Sequence, residues 1–114
     1  MTAREIVERV RRRDIAADEL RLYGALETLE EKIRDYARLP EKQFSEDGEL
    51  YAPEMFFDMY EEYLKRDNAI ISEDWDCYER HEGLFRAAWE RYCEYAVRNA
   101  ELREQKFKTG TGWT

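Results

Sequence analysis

A seven-residue repeat of large apolar residues runs through the second half of the chain, from Pro53 to Val97, and further aromatic residues flank it at three- and four-residue offsets. Residues at these separations lie on one face of an α-helix, whereas strands alternate every two residues. The pattern therefore predicts long helices with an aromatic face turned into the core. The predicted core residues are Phe57, Tyr60, Leu64, Ile71, Trp75, Tyr78, Phe85, Trp89 and Tyr92.

The repeat passes through Gly83 without a change of register, although glycine is the most obvious break in the pattern. We predict one helix over about 54–81 and another over about 84–106. The pattern leaves open whether the chain turns at Gly83 or continues as one helix. Residues 107–114 are rich in Gly and Thr and are predicted to form a C-terminal tail after a single helical domain spanning 1–106.

Two further helices are predicted in the first half of the chain. The first begins at a capping box, Thr2–Glu5, and ends in the basic run Arg11–Arg13, which suits the negative end of the helix dipole. Asp14 is predicted to cap the second, which spans Ile15–Leu39. Its apolar residues form a seam suited to pairing with another helix. They are Ile15, Leu22, Leu26, Leu29, Ile33 and Tyr36.

A loop over 41–52 separates these two helices from the aromatic segment. Pro40 ends the helix before it, and Leu50 and Tyr51 are predicted to anchor it on the core. The whole chain is therefore predicted to be an all-α bundle of about four helices, with long aromatic-rich C-terminal helices.

Charge is the main feature of the composition. Charged residues make up 40% of the chain and the net charge is −8. So much polar surface favours elongated helices or an oligomer, and the acidic balance argues against binding to nucleic-acid phosphates. No apolar run reaches the roughly 18 to 20 residues that cross a membrane, and 1–13 is too charged for a secretory signal. We therefore expect an intracellular, water-soluble protein.

The cysteines and the single histidine do not have the spacing of a metal site. Cys77 and His81 lie one helical turn apart and Cys93 follows further on, but zinc usually takes four ligands in short paired spacings. We expect reduced thiols within helices, no metal, no cofactor and no catalytic residues.

Two acidic pairs suggest an enzyme as a minor alternative. Glu46 with Glu49, and Glu73 with Asp76, are similar to the ExxE…ExxD pattern of all-α nucleotide pyrophosphohydrolases, whose carboxylates hold Mg²⁺. The first pair straddles a turn, so its carboxylates would not face the second pair. Another alternative is a small cytosolic adaptor that binds a partner protein through the seam of 15–36.

The aromatic segment also contains a pattern with a known counterpart. Its residues are Pro53, Phe56, Asp58, Tyr60, Tyr63, Leu64, Trp75, Tyr78, Phe85, Trp89 and Tyr92. In type and spacing they resemble the C-terminal half of the small head–tail connector (adaptor, head-completion) proteins of tailed bacteriophages and prophages. The resemblance extends loosely to 26–36. Glu79 and Arg80 depart from it, because the family often has an Asn pair there.

This resemblance implies a non-enzymatic structural protein of the virion, at the head–tail junction, which is present in the host cytoplasm during assembly. The family implies a homo-oligomeric ring of about twelve subunits that docks on the portal protein, contacts a neighbouring connector or tail-completion protein, and extends the DNA channel toward the tail. Double-stranded DNA would be cargo, and an acidic lumen would let it slide.

The resemblance also implies that flexible chain ends dock on the portal, which would assign portal binding to Lys106, Lys108 and Trp113. Opposite charges on neighbouring helices could set the register between subunits, which makes Arg11, Arg12 and Arg13 candidates for the subunit interface. The alternative for these three arginines is an ordinary solvated helix end.

Overall fold

The computed structural model describes residues 1–14 and 17–110, and their side chains as far as Glu101. Within these ranges the chain forms helices and no strand, apart from one isolated bridge between Thr2 and Glu49. This confirms the predicted all-α class and its four helices. The helices are α1 (Ala3–Arg13), α2 (Glu19–Ala37), α3 (Phe57–Ile71) and α4 (Trp75–Gly110), with a short 3₁₀ turn at Glu54–Phe56.

The centre of the molecule is an antiparallel hairpin of α3 and α4. Aromatic pairs cross it at two levels: the ring centroids of Tyr63 and Phe85 lie 5.1 Å apart, and those of Phe56 and Tyr92 lie 5.3 Å apart. Helices α1 and α2 bury their apolar faces against α3. The side chain of Thr2 caps α1 by accepting a hydrogen bond from the backbone N–H of Glu5, as the sequence analysis predicted. The predicted core residues that lie fully inside are Tyr60, Leu64, Phe85 and Tyr92, while Phe57, Tyr78 and Trp89 are partly buried.

Helix α4 makes the molecule elongated. Its 36 residues correspond to about 54 Å of helix, and the whole chain measures 60 × 27 × 19 Å. Among the α4 residues whose side chains are described, as far as Glu101, the last buried one is Ala96. The helix also continues through 107–110, which the sequence analysis had assigned to the tail. Adding a residue to an existing helix is much easier than nucleating one, which is why the boundary moved.

The turn in the aromatic segment lies at 72–74, so a break at Gly83 is wrong. Gly83 is inside α4, and the helix passes through it unbroken. At the true turn the backbone N–H of Asp74 bonds to the carbonyl of Ala69 and that of Glu73 bonds to Ile70, with Glu73 in the left-handed region at φ 55°. This is a Schellman C-cap, built here without the glycine that usually marks it.

The predictions that Ile71 and Trp75 belong to the core are also wrong, since 46% of Ile71 and 57% of Trp75 is exposed. Ile71 ends α3 and Trp75 begins α4. At the end of a hairpin the two helices diverge into the turn, so a side chain in register with the core has no partner to cover it.

Replacing Glu73 by glycine should stabilise the fold. An L-residue in the left-handed region is strained, whereas glycine is not, so we expect Glu73→Gly to raise the free energy of unfolding by about 0.5–1 kcal/mol. Urea denaturation measures the change. Glu79→Gly is the matched control, because Glu79 is exposed in right-handed helix, where glycine should cost about 0.5–1 kcal/mol. Equal destabilisation by both changes would contradict the strained turn.

Helix α2 begins later than predicted, and its seam is occupied. Asp18 caps it by accepting a hydrogen bond from the backbone of Leu20, so the cap assigned to Asp14 is wrong, and Ile15 lies outside the described residues. The seam residues Leu22, Leu26, Leu29 and Ile33 are buried in the chain's own core, whereas 46% of Tyr36 is exposed. Leu22, Leu26, Leu29 and Ile33 are therefore not available as a surface for a partner protein.

The loop between α2 and α3 is held by one buried carboxylate. Glu30 is only 4% exposed; its Oε1 accepts a hydrogen bond of 2.5 Å from the hydroxyl of Tyr60, and its Oε2 accepts one of 2.9 Å from the backbone of Tyr51. The Tyr60 hydroxyl in turn accepts a bond of 3.0 Å from the backbone of Ala52. Leu50 beside them is buried, as predicted. This network joins α2, the loop and α3 at one point.

Glu30 should make stability depend on pH in a direction opposite to that of most carboxylates. Burial raises the pKa of its carboxyl above the ordinary value of 4.5, although the bonds from Tyr60 and Tyr51 act the other way. Because the folded pKa exceeds the unfolded one, the contribution of this group is fully present below pH 4.5 and is lost as pH rises through the folded pKa. We therefore expect the difference in unfolding free energy between the wild type and Glu30→Gln to shrink as pH rises. A difference that grows with pH would contradict this assignment.

Candidate functional site

The arginines at the end of α1 are mostly engaged within the chain. Arg11 pairs with Glu19 at 3.2 Å and Arg13 pairs with Glu61 at 3.4 Å, so they tie α1 to α2 and α3. Arg12 is exposed and makes no ion pair within 1–14 and 17–101. Of the three residues predicted for a subunit interface, Arg12 is therefore the one whose charge remains available to a partner.

An apolar groove lies where the end of α2 meets α4. It has a volume of about 360 Å³ and is lined by Tyr36, Cys93 and Val97, with Glu94 and Arg98 at its rim. The ring of Tyr36 meets Trp89 edge-on, with centroids 5.7 Å apart, and burial raises the pKa of the Cys93 thiol. The groove therefore places three apolar side chains beside charged ones at the surface. The sequence analysis did not predict this groove, because it assigned Tyr36 to the internal seam of α2.

The hairpin end between α3 and α4 is a second exposed apolar surface. Ile71 and Trp75 stand on either side of the turn, and Trp75 packs edge-on against Tyr78 with centroids 6.1 Å apart. The turn and the first residues of α4 also expose the carboxylates of Glu73 and Asp76. The surface is therefore apolar with an acidic border.

The residues predicted to bind the portal lie at the far end of α4. Lys106 and Lys108 fall within the helix, more than twenty residues beyond the hairpin turn, while Trp113 lies outside the described residues. A long helix ending in basic residues places these positions away from the core. Their assignment to portal binding stays a prediction.

The thiols, the imidazole and the acidic pairs do not assemble into a metal site in the described part of the chain. His81 shares a hydrogen bond of 2.5 Å between its Nδ1 and Glu62, which links α4 to α3. Cys77 and His81 line a cavity of about 210 Å³ between α1, α3 and α4, while Cys93 lines the separate groove. Among the described residues there is no group of three or more His, Cys, Asp or Glu placed to hold a metal ion.

The two acidic pairs considered for Mg²⁺ lie on different parts of the fold. Glu46 is in the loop and pairs with Arg4 at 3.1 Å, whereas Glu73 and Asp76 are at the α3–α4 turn. The structure does not bring the two pairs together.

Within its described ranges, no helix is both long enough and apolar enough to span a membrane.

Comparison of the chain with protein-family models, with curated protein sequences and with solved structures gave no match.

Proposed function

We propose that the protein is a non-enzymatic head–tail connector subunit of a tailed bacteriophage or prophage. In this role it forms a homo-oligomeric ring, docks on the portal protein beside a tail-completion protein, and extends the DNA channel toward the tail. The observation that carries the proposal is the spacing of the aromatic residues in Pro53–Val97, which resembles that family. Because most of these residues are core residues, the resemblance concerns the fold first and the function by association.

The shape and charge of the chain support the proposal. A ring subunit needs two different surfaces for its neighbours and a third for the portal. The molecule is elongated, and the hairpin turn lies at one end of α4. Arg12, the groove and the hairpin end are all exposed. A net charge of −8 would repel DNA phosphates in a lumen, so that the duplex could pass without binding.

Quantitative mass spectrometry of purified particles tests the proposal. Particles from a lysate that carries this gene should contain the protein at the same copy number as the portal, about twelve in a closed ring. Particles assembled without the gene should contain the portal and lack this protein, which gives the control for co-purification. Absence of the protein from particles, with abundant protein in the soluble lysate, would remove the virion assignment.

A further inference from the structure

The exposed side of α4 carries its charges in two separate rows. One row is basic, and its members recur at four- and seven-residue steps: Arg80, Leu84, Arg91 and Arg98. The other row is acidic, and it lies about a quarter of a turn away around the helix axis. Its members are Glu79, Glu90, Val97 and Glu101. We call these the basic flank and the acidic flank of α4.

Both flanks are open to solvent in the single chain. Every member of the two rows is exposed, including the apolar Leu84 and Val97, each 48% exposed. Among the described residues, Arg80 and Arg98 on one flank and Glu79 and Glu101 on the other make no ion pair. The charges are therefore sorted by side without being neutralised within the chain.

Two arginines deviate from this sorting. Arg91 pairs with Asp58 of α3 at 2.5 Å but remains 56% exposed. Arg86 lies near the acidic flank and pairs at 3.0 Å with Glu82 of the same helix, a carboxylate that Arg66 of α3 also contacts. The acidic flank therefore carries one arginine whose charge is only partly compensated.

We propose that α4 is the helix through which neighbouring copies of this chain contact each other, packed parallel, with the basic flank of one copy against the acidic flank of the next. The two rows are complementary because one is basic and the other is acidic, so Arg meets Glu across the contact. Parallel packing follows from the ring, because rotation about a single axis leaves every copy pointing the same way along that axis. The charge pattern therefore selects a second copy of this chain as the partner.

This inference rests on the proposed function and adds to it the two surfaces that a ring subunit requires. A contact between two different flanks is heterologous, and repetition of a heterologous contact closes into a ring or extends into a filament. The helices α4 of neighbouring copies would then run along the symmetry axis. Leu84 and Val97 supply apolar contact beside the charged pairs.

Charge exchange on the full-length chain tests the inference. Sedimentation velocity should show self-association of the wild type, and at least about tenfold weaker association for Arg80→Glu with Arg98→Glu, because both flanks are then acidic. Glu79→Arg with Glu101→Arg should weaken association likewise, because both flanks are then basic. An equimolar mixture of the two variants should associate again, and so should the chain that carries all four changes.

A matched control separates the flanks from total charge. Arg38→Glu changes the net charge by the same amount as Arg80→Glu alone, at an exposed position at the end of α2 that makes no ion pair among the described residues, and it should leave association unchanged while Arg80→Glu weakens it. A wild type that stays monomeric, flank variants that associate normally, or a mixture that fails to recover would each overturn the inference. Portal-like copy number in particles, combined with normal association of the flank variants, would place the interface elsewhere and leave the proposed function standing.

Discussion

Phe85→Ala should lower the free energy of unfolding by about 3–5 kcal/mol, the range for emptying a buried phenylalanine site. Phe85 is 5% exposed and lies between the two hairpin helices, with ring centroids 5.1 Å from Tyr63 and 6.2 Å from Trp89. The ammonium group of Lys32 on α2 lies 5.7 Å from its ring. Removing the ring leaves a cavity at the place where three helices meet, and urea denaturation followed by circular dichroism measures the loss.

The adjacent residue provides the control for this prediction. Leu84 is 48% exposed and points about 100° away from Phe85 around the same helix, so Leu84→Ala should change the unfolding free energy by less than about 1 kcal/mol. The contrast between two neighbours tests which side of α4 is buried. If the two substitutions had equal effects, the packing of α4 described above would be wrong.

Tyr60→Ala should have an effect of similar size through a different mechanism. Tyr60 is fully buried and its hydroxyl connects Glu30 with the backbone of Ala52, so the substitution removes both a packed ring and the centre of the network. We expect a loss of about 3–5 kcal/mol for the ring, and an additional loss for the buried groups left unpaired.

Tyr60→Phe separates the two contributions, because it keeps the ring and deletes only the hydroxyl. It leaves the carboxylate of Glu30 and the N–H of Ala52 each without that partner, which should cost about 1–3 kcal/mol. Hydrogen exchange should then show faster exchange at the amide of Ala52, since its bond is lost. Unchanged stability of Tyr60→Phe would mean that the hydroxyl network does not hold the loop.

The substitutions at Phe85 and Tyr60 test the fold, whereas the proposed function depends on exposed residues. The residues that carry the resemblance to connector proteins include Phe56, Tyr60, Phe85 and Tyr92, and all four are buried. They determine how the hairpin packs. In the proposed ring, contacts with neighbouring copies would instead involve exposed groups such as Arg12, the groove at Val97 and the two flanks of α4.

Sequence patterns alone predicted the number of helices and most of their buried faces. The capping box at Thr2, the apolar seam of α2 and the aromatic repeat each depend on residues close together in the chain, so local periodicity was enough to predict them. The groove beside Tyr36 could not be predicted from local patterns, because it is formed by two helices that are distant in sequence.

Tertiary structure alone decided the position of the hairpin turn and the burial around it. A seven-residue repeat has the same appearance on one helix or two, so it could not show that the chain reverses at 72–74 and that Gly83 stays helical. The same reversal exposes Ile71 and Trp75, because burial depends on a facing element as well as on register. Glu30 shows the converse. From the sequence, a charged residue on a helix is expected to be exposed. The fold brings Tyr60 and Tyr51 to Glu30, and their hydrogen bonds to its carboxylate make its burial possible.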